Sequence, residues 1–215
     1  FAGVVFMAET AKILCPSAEV LVPDRGSGCS LADSLTAADL RRLKAMHPDA
    51  AVVCYINSTA EVKAESDVCV TSGNVHAIIA ALPQPKVLFV PDRLMGQNVR
   101  TELHRRGVEK EIITSDGTCI VHEEFGLAEI AEARRQFPGL RVVAHPECAP
   151  EVAAAAAQSA LSTAQGNASK ARAEADAAAV RAATLLGAAR GLLGGEDPAV
   201  VRRSLETAVK EATVG

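Results

Sequence analysis

The stretch Val52-Val53-Cys54-Tyr55-Ile56-Asn57-Ser58-Thr59-Ala60-Glu61-Val62 constrains the fold more than any other. An apolar run of strand length passes straight into helix-forming residues and leaves polar groups at the junction. The chain does this twice. Val142-Val143-Ala144-His145-Pro146-Glu147-Cys148-Ala149-Pro150-Glu151-Val152 repeats the pattern, with Tyr55 against His145 (145 − 55 = 90), Asn57 against Glu147 and Glu61 against Glu151. A glycine-flanked cysteine precedes each copy at the same offset, Gly28-Cys29-Ser30 and Gly117-Thr118-Cys119 (119 − 29 = 90). Self-similarity at one offset points to two copies of one structural unit. Each copy delivers one thiol and one polar pair to a shared site.

The order of short apolar runs and helical patterns extends this reading. Strands are expected at residues 4–6, 19–22, 50–56, 67–71, 86–90, 111–114 and 140–144. Helices are expected at 7–14, at 39–46 with Thr36 as cap, at 59–65 with Ser58 or Asn57 as cap, at 75–82 and at 123–136. Val75, Ile78, Ile79 and Leu82 have the spacing of one buried helix face. Alternation of this kind gives an α/β fold: two similar three-layer units with mostly parallel sheets, residues 1–84 and 85–152. Ligands of such sheets gather at the carboxyl ends of the strands. Residues 153–215 change texture to an Ala-rich helical tail, with helices expected at 171–193 and 198–209.

Composition narrows the function. A net charge of −4, no Trp, one Tyr and no basic run argue against a nucleic-acid surface. No apolar run approaches the roughly 18 residues of a membrane span, so no membrane partner is expected and the partner is a small molecule. The first residues carry neither an initiator Met nor a signal-peptide pattern, and read as a chain entered part-way. Six cysteines without a secretion signal read as reduced thiols in the cytoplasm, suited to metal or redox chemistry. Cys29 and Cys119 lie in glycine-containing loops after strands, where thiolates are accessible and backbone amides can bond cluster sulfurs. Cys15, Cys54 and Cys69 fit packing positions instead.

A series of motifs then resembles the quinolinate synthase family: Phe6-Met7-Ala8-Glu9-Thr10-Ala11-Lys12, Gly28-Cys29-Ser30-Leu31-Ala32-Asp33, Tyr55-Ile56-Asn57 with Ala60-Glu61-Val62-Lys63-Ala64, Thr71-Ser72-Gly73-Asn74, Pro91-Asp92-Arg93, Cys119-Ile120-Val121-His122-Glu123 and His145-Pro146-Glu147-Cys148. The resemblance covers residues 1 to about 152. It implies a cytoplasmic enzyme of NAD biosynthesis that condenses iminoaspartate with dihydroxyacetone phosphate to quinolinate, releasing phosphate and water. It implies a [4Fe-4S] cluster held by three cysteines, with one iron left open as a Lewis acid. By motif position Cys29 and Cys119 are two of the ligands. Tyr55 and Asn57 match residues lining the substrate cavity, Ser72 a phosphate- or carboxylate-binding hydroxyl, and His145 and Glu147 a pair for proton transfer.

The family has three such units, and this chain supplies two of them. The run that provides the third cluster ligand has no counterpart here, since no cysteine follows Cys148. The expectation is therefore that the isolated chain makes no quinolinate. Leu161-Ser162-Thr163 stands near the place of a family Gly-Ser-Thr, with Leu for Gly and the register about one residue late, so substrate binding is not carried over to Ser162 or Thr163. Two other readings remain open: a noncatalytic α/β remnant whose helical tail binds a partner, and a zinc or thiol site built by Cys29, Cys119 and either His122 or Cys148.

Overall fold

The computed structural model describes residues 3–138, 140–160, 197, 199 and 200. Four apolar runs become strands: β1 Ala51–Tyr55, β2 Val68–Val70, β3 Lys86–Val90 and β4 Glu111–Thr114. They form one sheet in the order β2-β1-β3-β4, every neighbouring pair parallel. Parallel neighbours need crossovers, and helices supply them: α3 Ala60–Ala64, α4 Val75–Ala81 and α5 Arg93–Arg105. The described strands on either side of residues 84 and 85 share this sheet. The remaining helices are α1 Val5–Leu14, α2 Ala37–Met46, α6 Ile120–Glu123, α7 Leu127–Gln136 and α8 Pro150–Ala160.

The strand period of two sorts the core into two layers. Val53 and Tyr55 of β1 join Phe89 and Val87 of β3 against Val75 and Ile79 of α4 and Met95, Val99 and Leu103 of α5. Val52 and Cys54 face the other way, with Leu88 and Val90, against Leu40 of α2 and Val62 of α3. With both faces covered, β1 is buried along its whole length, as a near-continuous apolar run predicts. Helix α5 sits close on the sheet because Gly96 has no side chain: a Cβ there would meet the Thr114 methyl and stand 3.1 Å from the Phe89 ring. Thr36 caps α2 as expected, in a capping box with Asp39.

Six expectations are corrected. Residues 4–6 are no strand but the start of α1, because the helix formers from Met7 onward extend back and bury Phe6 and Ala8. Residues 19–22 form no strand either: among the described residues no ladder partner lies beside them, and Leu21 is 65% exposed. Thr59 rather than Ser58 or Asn57 caps α3, the Ser58 hydroxyl being committed to the Tyr55 carbonyl. The helix expected at 123–136 is two helices, broken before Gly126, which is the N-cap of α7. Residues 140–144 keep a strand's alternation, Val142 and Ala144 packing on Ile130, Cys148 and Val152 while Val143 is 92% exposed, but they join no ladder among the described residues. Cys54 and Cys69 are buried and face one another in register across β1 and β2, whereas Cys15, expected in the packing, is exposed at the end of α1. The helices expected at 171–193 and 198–209 lie outside the described residues, apart from Ala199 and Val200, which are helical.

Candidate metal and proton-transfer site

The carboxyl ends of the strands converge on one place. β1 ends at Tyr55 and runs into Asn57; β3 ends at Val90 and runs through Pro91 to Asp92; the loop after β4 leads to Cys119. Asp92 and Gly117 form an isolated parallel bridge, and the Arg93 amide donates to the Gly117 carbonyl at 2.7 Å, so the Cys119 loop is tied to the end of β3. Gly117 permits this approach, since a Cβ would stand 2.6 Å from the Pro91 carbonyl oxygen. Cys29 arrives from the loop before Leu31, its amide donating to Asp33 Oδ2 at 2.9 Å. Both thiols are half-buried and pack on the same apolar layer as Tyr55.

Glu147 is the centre of the cluster. It is 2% exposed, its Oε2 is 2.9 Å from His145 Nδ1 and 3.5 Å from His122 Nδ1, and the two imidazole rings lie 5.1 Å apart. Burial pushes its carboxyl up to about 7, the Asp92 charge pushes the same way, and Asn57 partly offsets both by hydrogen bonding. Burial lowers His145, helped by the His122 charge, and burial lowers His122. A raised acid beside a lowered base disfavours a fixed ion pair between Glu147 and His145. The Glu147 amide also lies 3.4 Å from His145 Nδ1, a longer contact than the 2.9 Å one to the carboxylate.

Asp92 is fully buried. Its Oδ1 accepts from the Met95 amide at 2.7 Å as the cap of α5, while Oδ2 has no partner, and burial raises its carboxyl to about 6. Burial raises the Tyr55 phenol, and the charges of Glu147, Asp92, Cys119 and Cys29 push the same way. Cys119 is likewise raised by burial first and by Glu147 and Cys29 after it.

The structure thus brings together six of the seven residues singled out from sequence: Cys29, Tyr55, Asn57, Cys119, His145 and Glu147. Ser72 lies in the turn after β2, at the same edge of the sheet; among the described residues it alone of the seven has no hydrogen bond or charge interaction with the others. Sequence reasoning missed Asp92 and Asn74. Each follows an apolar strand by only a few residues, so the strand-end rule that selected Tyr55 and Asn57, applied to β2 and β3, would have found both. Asn74 is buried with Oδ1 accepting from the Thr71 amide at 2.7 Å and Nδ2 unpartnered.

Buried polar atoms are nearly always satisfied, yet among the described residues Asp92 Oδ2, His122 Nδ1 and Glu147 Oε1 have no hydrogen-bond partner. The ligand atoms of Cys119, His122 and Glu147 all lie within 4.8 Å of one another, a grouping compatible with a metal site. Among the described residues no helix is long and apolar enough to cross a membrane.

Known proteins are similar to this chain over most of its residues. The family described as quinolinate synthetase A protein matches residues 1–188. Quinolinate synthase 1 of Mesorhizobium japonicum is 50% identical over 155 residues, 72% of this chain and 46% of that protein. Quinolinate synthase of Xylella fastidiosa is also 50% identical, over 72% of this chain and 44% of its own length. That of Methanoregula boonei is 46% identical over 71% of this chain and 49% of its own length. The chain spans about half the length of these curated relatives, and with a family match over most of its residues it belongs to the quinolinate synthase family.

Proposed function

We propose that the protein carrying this chain condenses iminoaspartate with dihydroxyacetone phosphate to quinolinate, in cytoplasmic NAD biosynthesis, and that this chain contributes two cluster thiols and a proton-transfer group to the site. The observation that carries this is the convergence of Cys29 and Cys119 with the buried Glu147, Asp92 and Tyr55. Two half-buried thiols on an apolar wall are soft donors of the kind iron–sulfur clusters take, and Asp92 Oδ2, His122 Nδ1 and Glu147 Oε1, without a hydrogen-bond partner among the described residues, are polar atoms a ligand could satisfy. Cys29 and Cys119 would hold a [4Fe-4S] cluster. When bound, it supplies a Lewis-acidic iron that polarises a substrate oxygen or nitrogen.

The chain's own residues do the rest. Glu147, raised to about 7, exchanges a proton near neutral pH and passes it to or from the His145 ring at 2.9 Å, which suits it to the dehydration steps. Tyr55 stays protonated and donates a hydrogen bond from its phenol; Asn57 orients a substrate carboxylate and holds Glu147. Ser72 binds a phosphate or carboxylate at the mouth of the same edge. The low exposure of Glu147 and Asp92 excludes bulk water from these transfers.

The test is anaerobic purification and reconstitution with iron and sulfide. Iron with matching sulfide in the wild type, lost in Cys29→Ala and in Cys119→Ala, is the expected result, together with quinolinate formation by the full-length protein. A second reading has one observation in its favour: the three donors of Cys119, His122 and Glu147 within 4.8 Å suit a single zinc ion. Stoichiometric zinc without sulfide would select it. Neither metal, with no quinolinate from the full-length protein, would leave a noncatalytic α/β module with a partner-binding tail.

A further inference from the structure

The segment 140–149 carries His145 and Glu147, yet neither a ladder nor a helix holds it. Backbone without a ladder must find its hydrogen bonds elsewhere. Asn98, on the second turn of α5, supplies two of them: its Nδ2 donates to the Pro146 carbonyl at 2.7 Å and to the Cys148 carbonyl at 2.8 Å. These two carbonyls belong to the residues on either side of Glu147. A carboxamide nitrogen has two donor hydrogens, and here both are spent on one short stretch of chain.

We propose that Asn98 is a positioning residue, its carboxamide fixing the backbone on both sides of Glu147 and so setting where the Glu147 carboxylate and the His145 ring stand relative to Cys119 and His122. The base of the clamp is rigid. Helix α5 is capped by Asp92, buries Met95, Val99 and Leu103, and sits close on β3 and β4 through Gly96. The clamp therefore refers an irregular segment back to the sheet that carries Tyr55 and Asn57. His145 is drawn in with it, since its carbonyl accepts from the Cys148 amide at 3.0 Å and its ring meets Glu147 Oε2 at 2.9 Å. This rests on the reading of the cluster given under Proposed function and adds a residue that never touches substrate.

Two variants of the 215-residue chain test it. Asn98→Asp keeps the shape but turns both donors into acceptors facing two carbonyls, and Asn98→Ala removes the group. Arg100→Gln, on the exposed side of the same helix, is the control. The readouts are the imidazole nitrogen NMR signals of His145, assigned through His145→Gln, and hydrogen exchange at the Glu147 and Cys148 amides. In both Asn98 variants the His145 signals are expected to move and exchange at the two amides to rise on the order of tenfold, the equivalent of one lost hydrogen bond. Arg100→Gln leaves both unchanged. A folded Asn98→Asp or Asn98→Ala chain with wild-type His145 signals and exchange overturns the proposal; if the Asp variant does not fold, the Ala variant decides. The two readings fail separately. A shifted His145 signature in a protein that takes up no iron retires the cluster and keeps the clamp, and iron uptake with an unmoved signature does the reverse.

Discussion

The two strand-to-helix junctions share a sequence pattern and differ in how they are held. Tyr55 and Asn57 leave the central strand of a parallel sheet, with Ser58 fully buried and its carbonyl taking a 2.6 Å hydrogen bond from the buried Lys63. Lys63 and Glu9 also bind this turn to α1, through Thr10 at 2.9 Å and the Ala60 amide at 2.8 Å. His145 and Glu147 leave an unpaired segment over a small cluster of Ile130, Cys148 and Val152. One half of the site is thus part of the main core, and the other is docked against it. Equal polar pairs at equal spacing do not imply equal stability.

The largest expected effect breaks the first half. Phe89→Ala empties a position with no exposure beside Val53 and Tyr55, and should cost about 3–5 kcal/mol in urea unfolding. Ile130→Ala, in the docked half, should cost about 2 kcal/mol, at the lower edge of the range, because so small a cluster can close over the gap. Equal costs would mean that the two halves form a single core.

Next comes acidity. Glu147 rises from 4.5 to about 7 on folding, so the folded state binds its proton more tightly than the unfolded chain does. That group's contribution to stability is then full below about pH 4 and is lost as pH climbs to about 7. In the metal-free chain Glu147→Gln removes this loss. It should be more stable than wild type by on the order of 3 kcal/mol at pH 8 and no more stable at pH 4. Parallel stability curves from pH 4 to 8 would show that Glu147 is not desolvated.

The smallest effect concerns caps. Thr59 accepts from the Val62 amide at the start of α3, and Thr59→Ala should cost about 1 kcal/mol. At the matching place before α8 stands Ala149, whose carbonyl takes the first helical bonds but whose side chain has nothing to accept with. Ala149→Asp should therefore gain about 0.5–1 kcal/mol. Thermal melting of the two variants, moving in opposite directions, would sharpen the contrast between the junctions.

Much of this was legible because it is local. The four strands, the Thr36 cap and α4 follow from apolar periodicity and capping residues within a few positions of each other. Strands at 4–6, 19–22 and 140–144 were misread because a ladder depends on a partner elsewhere in the chain, and β-forming residues such as Val142 and Val143 look the same with or without one. The site was legible as a list of residues, through the 90-residue offset and the family motifs. Its chemistry was not: that Asp92 keeps an unpartnered oxygen, or that Glu147 sits 2.9 Å from His145, follows only from how three strand ends and two loops meet.

The strand order β2-β1-β3-β4 also governs when the site can come into being. Asn57 and Glu147 are 90 positions apart (147 − 57 = 90), and closing a loop of that length costs about 4 kcal/mol of chain entropy before any contact repays it. No short fragment contains both halves of the cluster. During synthesis, the thiol of Cys29 and the phenol of Tyr55 emerge long before Cys119 and Glu147, and the central β1–β3 pairing must wait for β2 and its flanking helices to be passed over. Such non-local topologies fold slowly. The thiol of Cys29 and the phenol of Tyr55 therefore join the Cys119, His122 and Glu147 donors only once the sheet has closed.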